Sequence, residues 1–235
     1  MSRLLLLSNS TMPGTPFFEW PSPHVSAFLK DQVEDVLFIP FAAVTLAFNV
    51  YEEMVKAAFM NMGYQVRSIH HYKNPVQAVE NAATIVVGGG NTFALLKRMY
   101  DHKLVEVVRE KVVSGIPYIG WSAGANLACP TIKTTNDMPI LQPHSFEALN
   151  LVPFQINPHY SEYKQPGHGG ETRQQRIEEF LKVNKVKVVG LPEGSLIRKE
   201  NENVFVEGGG IAKLFKQDGS IEEISSGSKA NFLFE

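Results

Sequence analysis

One cysteine in 235 residues, Cys129, excludes an intramolecular disulfide and suits a reducing compartment. Long apolar runs are missing as well. The longest, residues 36–48, is broken by Pro40 and Thr45 and falls short of the ~20 residues that a membrane helix needs. The leucines at 4–7 are too few for a signal-peptide core of roughly 7–15 residues, so a cytoplasmic protein without membrane attachment is expected. Neither sign of charge dominates: 22 Lys and Arg stand against 24 Asp and Glu, a net of -2, and no block of like charge marks a nucleic-acid surface. Metal motifs are equally scarce. There is no H-E-x-x-H and no C-x-x-C, and His159 with His168 has no matching third ligand, so no metal and no other cofactor is expected. At this length roughly 70% of the unfolded chain's surface can be buried, and stability calls for neither metal nor disulfide.

What is present is a periodic alternation. Short apolar or β-branched runs at residues 3–7, 36–39, 65–69, 84–87, 118–120 and 186–190 end in polar residues, Gly or Pro and predict buried strands. Helical patterns lie between them. Residues 51–62 place Met54, Val55, Ala58, Phe59 and Met62 on one stripe, and Asn74-Pro75 joins a cap residue to a proline at the first helical position. The alternation predicts an α/β fold with a mostly parallel sheet covered by helices on both faces, whose ligands sit at the carboxyl ends of strands. After Thr131 the chain turns proline-rich, with one helix near 172–181. Residues 195–198, 203–207, 212–215 and 221–224 read as antiparallel C-terminal strands, the last two joined through Asp218-Gly219. With no linker or repeat, a single domain over 1–235 is expected.

The sharpest chemical feature is Gly120-Trp121-Ser122-Ala123-Gly124, a G-x-S-x-G that follows a predicted strand and precedes a run of small residues. This is the strand–turn–helix context of a nucleophile elbow, where the turn is tight and the serine oxygen stands exposed at the strand's end. A second glycine cluster, Gly88-Gly89-Gly90-Asn91, follows the strand at 84–87. Its spacing fits neither G-x-G-x-x-G nor a Walker loop, but a loop free of side chains at a helix N-terminus can aim N–H groups at a developing oxyanion, with the N–H of Ala123 as partner. Gly208-Gly209-Gly210 reads as a hairpin turn. A serine nucleophile needs a base. Of the seven histidines, His102 lies among helical charges and His70 and His71 end a strand, whereas His159 in Asn157-Pro158-His159 sits where an apolar segment enters a loop. A carboxylate must hold that imidazole, and both Asp137 and Glu193 qualify. Glu193 follows a strand directly; Asp137 beside Pro139 could instead serve its own turn.

Read together, these blocks resemble peptidase E, the α-aspartyl dipeptidases. The resemblance covers nearly the whole chain: Leu4 to Thr11, Phe38-Ile39-Pro40-Phe41-Ala42, Gly88 to Phe93, Tyr118 to Thr131, Asn157-Pro158-His159, Gly170-Glu171-Thr172-Arg173 and Leu191-Pro192-Glu193-Gly194. It departs between Asn9 and His24, around 160–168, and after Asn201. The resemblance implies a fold similar to class I glutamine amidotransferases and metal-free hydrolysis of Asp-X dipeptides. Ser122 is implied as nucleophile, His159 as base, Asp137 or Glu193 as acid, and Arg173 as the group that selects the aspartyl carboxylate. The partner implied is a small dipeptide, acted on by a monomer or homodimer. A cyanophycinase-like β-aspartyl peptidase, which shares the elbow, and a catalytically silent binder of an amino-acid-like ligand are the alternatives.

Overall fold

The computed structural model describes residues 2–30, 35–164, 166–167 and 169–235, so His168 lies outside the described residues. Five parallel strands form the centre: β1 (Arg3–Leu7), β2 (Asp35–Ile39), β3 (Gln65–Ser68), β4 (Ile85–Val87) and β5 (Pro117–Trp121). They run in the order β1-β5-β4-β2-β3. Beyond β1 the sheet continues antiparallel through β8 (Ser195–Glu200), β9 (Asn203–Gly208) and β12 (Ser228–Lys229). A separate four-stranded sheet, ordered β11-β10-β7-β6, joins the parallel pair β6 (Gln155–Pro158) and β7 (Val188–Leu191) to the antiparallel strands β10 (Ala212–Phe215) and β11 (Ile221–Ile224).

The expected fold class is therefore the observed one, with one difference in topology. The strand expected at 186–190 pairs with β6 in the second sheet and does not extend the main one. The free edge of β1 is already taken by β8 along its whole length, from Arg3 opposite Glu200 to Leu7 opposite Leu196.

Four consecutive leucines can build β1 because its alternate side chains enter two different cores. Leu4 and Leu6 pack with Ile39, Val87 and Tyr118 on one face, and Leu5 and Leu7 with Phe38, Ile119 and Trp121 on the other. All four are fully buried, each contributing about 1.5–3 kcal/mol relative to exposure. On the second face lie α1 (Ser22–Leu29) and α2 (Phe48–Met60), through Val25, Phe28, Val55 and Phe59. The first face is covered by α3 (Pro75–Glu80), α4 (Thr92–Asp101), α5 (Leu104–Val113) and α6 (Ala123–Leu127). The Asn74 side chain caps α3 by accepting from the Gln77 N–H, and Thr172 with Gln175 forms a capping box at the start of α7 (Arg173–Val183). α1 and α5 were not among the helices that the sequence pattern singled out.

The topology concentrates loops at one edge. The carboxyl ends of β1, β4 and β5 open into Ser8, Gly88 and Ser122, while those of β6 and β7 open into His159 and Pro192-Glu193.

Candidate active site

Ser122 lies between β5 and α6 with φ 53° and ψ -112°, outside the regions an L-residue ordinarily prefers. Strain of this kind costs on the order of 1–3 kcal/mol and persists only where neighbours enforce it. Here the Ser122 N–H donates to the Leu7 carbonyl at 3.0 Å, and both flanking glycines are pressed against backbone. A Cβ at Gly120 would stand 2.4 Å from the Gly124 oxygen, and one at Gly124 would stand 2.3 Å from the Val87 oxygen.

His159 follows β6, itself at φ 54°. Its Nδ1 is 2.9 Å from Glu193 Oε1 and its Nε2 is 2.8 Å from Ser122 Oγ. An ionised carboxylate only accepts hydrogen bonds, so the ring proton belongs on Nδ1; Nε2 is then left to accept from the Ser122 hydroxyl. Side chains from neighbouring loops hold the backbone around the ring. The His159 N–H donates to Ser8 Oγ at 2.8 Å, and the Ser8 hydroxyl donates onward to the Leu191 carbonyl at 2.8 Å. Asn136 Nδ2 donates to the Pro158 carbonyl, and Asn9 Oδ1 accepts from the Gly194 N–H beside Glu193.

Asp137, the other carboxylate expected to hold His159, is engaged elsewhere. Its Oδ2 accepts from the Thr92 N–H at 2.7 Å, the Thr92 hydroxyl at 2.6 Å and the Thr135 hydroxyl at 3.1 Å. That placement caps the start of α4, where the helix dipole favours an anion. Of the two carboxylates, Glu193 makes the contact with His159.

The glycine loop also needs a correction. The Gly88 N–H donates to the Ile39 carbonyl at 3.1 Å and continues the strand pairing, so it has no proton left for a ligand. The N–H groups of Gly89, Gly90 and Ala123 carry no hydrogen bond among the described residues. Gly89 stands directly behind the serine: a Cβ there would lie 3.0 Å from Ser122 Cβ. Its carbonyl accepts from the Tyr51 hydroxyl at 3.2 Å, and that hydroxyl accepts from Trp121 Nε1 at 3.0 Å. Burial pushes the Tyr51 phenol far up, so it stays a neutral donor. Ser8, Asn9 and Tyr51 had no role assigned from sequence. Two of them, Ser8 and Asn9, carry a legible signal, because polar residues directly after the apolar run of a parallel strand mark the end where ligands sit.

Arg173, the first residue of α7, is half-buried, and its Nη1 has no hydrogen-bond partner among the described residues. Burial and then Arg176 lower its pKa, while the negative charges of Glu193 and Asp137 oppose that shift. No hydrogen bond or ion pair joins it to either carboxylate among the described residues, and it is not among the residues that line the cleft around Ser122. The cleft itself encloses about 570 Å³, with Ser122, His159, Glu193, Gly89, Gly90 and Trp121 among its lining residues.

A strained serine joined to a histidine and a carboxylate at the strand ends of an α/β fold defines a serine hydrolase. Comparison with known proteins specifies which kind. The model of peptidase family S51 matches residues 4–215. The peptidase E of Nostoc sp. (strain PCC 7120 / SAG 25.82 / UTEX 2576) is 47% identical over 99% of this chain and 97% of its own. That of Shigella flexneri serotype 5b (strain 8401) is 47% identical over 91% of this chain and 93% of its own. A solved protein of Listeria monocytogenes EGD-e, put forward as a peptidase E, superposes with a TM-score of 0.69 at 25% identity, covering 89% of this chain and all of its own. The chain belongs to peptidase family S51 and is a serine-type peptidase. No helix among the described residues is long and apolar enough to cross a membrane.

Proposed function

We propose that the protein is a dipeptidase for substrates with an N-terminal aspartate, acting through Ser122, His159 and Glu193. The observation that carries this reading is the continuous chain of hydrogen bonds from Ser122 Oγ through the imidazole to the Glu193 carboxylate. Ser122 Oγ attacks the carbonyl carbon of the Asp–X bond while its proton passes to His159 Nε2. Glu193 keeps the proton on Nδ1 and stabilises the imidazolium. The oxyanion is held by the N–H of Ala123 with those of Gly89 and Gly90, which are free to donate. Collapse breaks the C–N bond, and Nε2 returns its proton to the leaving amine. Water, deprotonated by the same nitrogen, then releases aspartate from the serine ester.

Selectivity is assigned to Arg173. A half-buried guanidinium with an unsatisfied Nη1 is costly until an anion reaches it, and a carboxylate matches its paired donors where an amide does not. The side chain of a substrate aspartate meets that requirement. The lone, buried Cys129 suits a cytoplasmic setting.

The test is release of the second residue from Asp-Leu, Asn-Leu, Glu-Leu and β-linked Asp-Leu by wild type and Ser122→Ala, with chelator present. Cleavage of α-linked Asp-Leu that vanishes in Ser122→Ala supports the reading. Cleavage of the β-linked dipeptide alone transfers it to a cyanophycinase-like activity, and turnover unchanged in Ser122→Ala ends the serine mechanism.

A further inference from the structure

The metal motifs missing from the sequence have a counterpart that only the fold assembles. Glu52 on the first turns of α2 and the adjacent His70 and His71, on the 3-10 turn Ile69–His71 that follows β3, bring one carboxylate oxygen and two imidazole nitrogens together. All three donor atoms lie within 4.8 Å of one another. The carboxylate is buried and divided in its contacts. Oε1 is held from behind by the Ser68 N–H at 3.2 Å and by Lys56 Nζ at 3.1 Å. Oε2 faces the two imidazoles, 2.6 Å from His71 Nε2 and 3.9 Å from His70 Nε2.

His70 is oriented as a ligand should be. Its Nδ1 is 2.6 Å from Ser68 Oγ, which sets the ring and directs Nε2 at the cluster. Asn49 Oδ1, 2.6 Å from that same Nε2 and on an exposed residue, is placed to supply a further oxygen. A cleft of about 250 Å³, lined by Glu52, Lys56, Ser68 and His71 among others, opens the site to water. From this geometry we propose that Glu52, His70 and His71 form a binding site for a divalent transition-metal ion of the zinc class, separate from the serine site.

Imidazole nitrogens with a carboxylate suit Zn²⁺, Co²⁺, Ni²⁺ and Cu²⁺ more than Mg²⁺ or Ca²⁺, which prefer oxygen throughout. Bonds of about 2.0–2.2 Å in a tetrahedron put ligand atoms roughly 3.3 Å apart. His71 then withdraws and His70 approaches, each by under about 1 Å. The His71 side chain is 54% exposed and free to make that adjustment. Lys56, a cation already on the carboxylate, opposes the approach of a second one.

Co²⁺ is the probe, read by its visible d–d absorption during titration of the chelator-treated full chain, with Zn²⁺ as competitor. One equivalent should bind with absorption typical of nitrogen and oxygen ligands. His71→Asn and His70→Asn should each weaken binding at least about tenfold, the scale on which even the loss of a group that only orients a ligand acts. Lys56→Gln should tighten it, and Ser122→Ala should leave it unchanged, which separates this site from the peptidase reading. Matching thermal unfolding of the metal-free variants guards against misfolding as the cause. Absence of stoichiometric uptake at about 100 µM metal, or affinity unchanged in both histidine variants, overturns the proposal.

Discussion

Replacing Glu193 by Gln and Asp137 by Asn separates the two carboxylates by their contacts. Glu193→Gln leaves an oxygen opposite His159 Nδ1 but removes the charge that steadies the imidazolium. The His159 and Glu193 side chains are 33% and 44% exposed, so water screens the pair and the bare Coulomb energy at 2.9 Å overstates its worth. A charge-assisted hydrogen bond of this kind is worth about 1.5–3 kcal/mol, which as a barrier corresponds to a fall in kcat of about 10- to 150-fold, with KM within about twofold. In the Ser122→Ala background the same change should cost nothing further, since the base then has no hydroxyl to activate.

Asp137→Asn acts on α4 instead. The N–H and hydroxyl of Thr92 lose an anionic acceptor at a helix start, a loss of about 1–2 kcal/mol that lowers Tm by about 2–8 °C in a chain of this size. The effect on kcat should stay below about threefold at 25 °C, because the acceptor supports the loop after Gly90 without touching His159. Steady-state kinetics on Asp-Leu alongside thermal unfolding makes the comparison. If Asp137→Asn loses more kcat than Glu193→Gln at an unchanged Tm, the assignment of Glu193 is refuted.

Arg173→Lys keeps the charge but loses the fork, and the ratio of kcat/KM for Asp-Leu over Asn-Leu should fall by about 10- to 100-fold; an unchanged ratio moves selectivity to another residue. Tyr51→Phe removes the hydroxyl that holds the Gly89 carbonyl. Because C=O and N–H point to opposite sides of a trans peptide, that hydroxyl also aims the Gly90 N–H. Since a whole oxyanion donor is worth about 2.7–4 kcal/mol, a partial loss of about tenfold in kcat with KM preserved is expected, and parallel loss of both would indicate a packing role. Cys129 is fully buried, and burial pushes its thiol pKa up to about 12. Iodoacetamide at pH 8 should leave it unmodified in the native protein and alkylate it on unfolding; rapid native labelling would contradict this burial.

The sequence made the parallel half of the fold and the serine elbow legible, because both are local. Apolar runs that end in polar residues, Gly or Pro correspond to β1, β2, β4 and β5 within a residue or two, and the spacing around Ser122 reflects contacts between residues only a turn apart. Which carboxylate meets His159 was not legible. Glu193 reaches His159 because β6 and β7 pair in register, Pro158 opposite Leu191, in a sheet that no short-range pattern announces. Asp137 carries as plausible a local context as Glu193, and only the contact with Thr92, 45 residues away, shows where its charge is used. The same holds for Gly88, whose N–H is consumed by a strand 49 residues earlier in the chain. The grouping of Glu52 with His70 and His71 depends likewise on how α2 packs beside β3.

The site therefore depends on how two sheets meet. One delivers Ser122 and the glycine loop, the other His159 and Glu193, and a mismatch of 1 Å between them would separate imidazole from hydroxyl. Ser8 bears directly on that junction. Standing at the end of β1, it bonds through its N–H to Ser195 of β8, and through its hydroxyl to the His159 N–H and the Leu191 carbonyl. Its single oxygen accepts from the loop that begins at His159 and donates to the strand end that leads to Glu193, a pair of roles that an alanine cannot fill and that a threonine fills only if its extra methyl finds room. The main sheet thus positions its own serine directly and the other sheet's imidazole through a buried hydroxyl, which is how two separately hydrogen-bonded sheets hold one constellation.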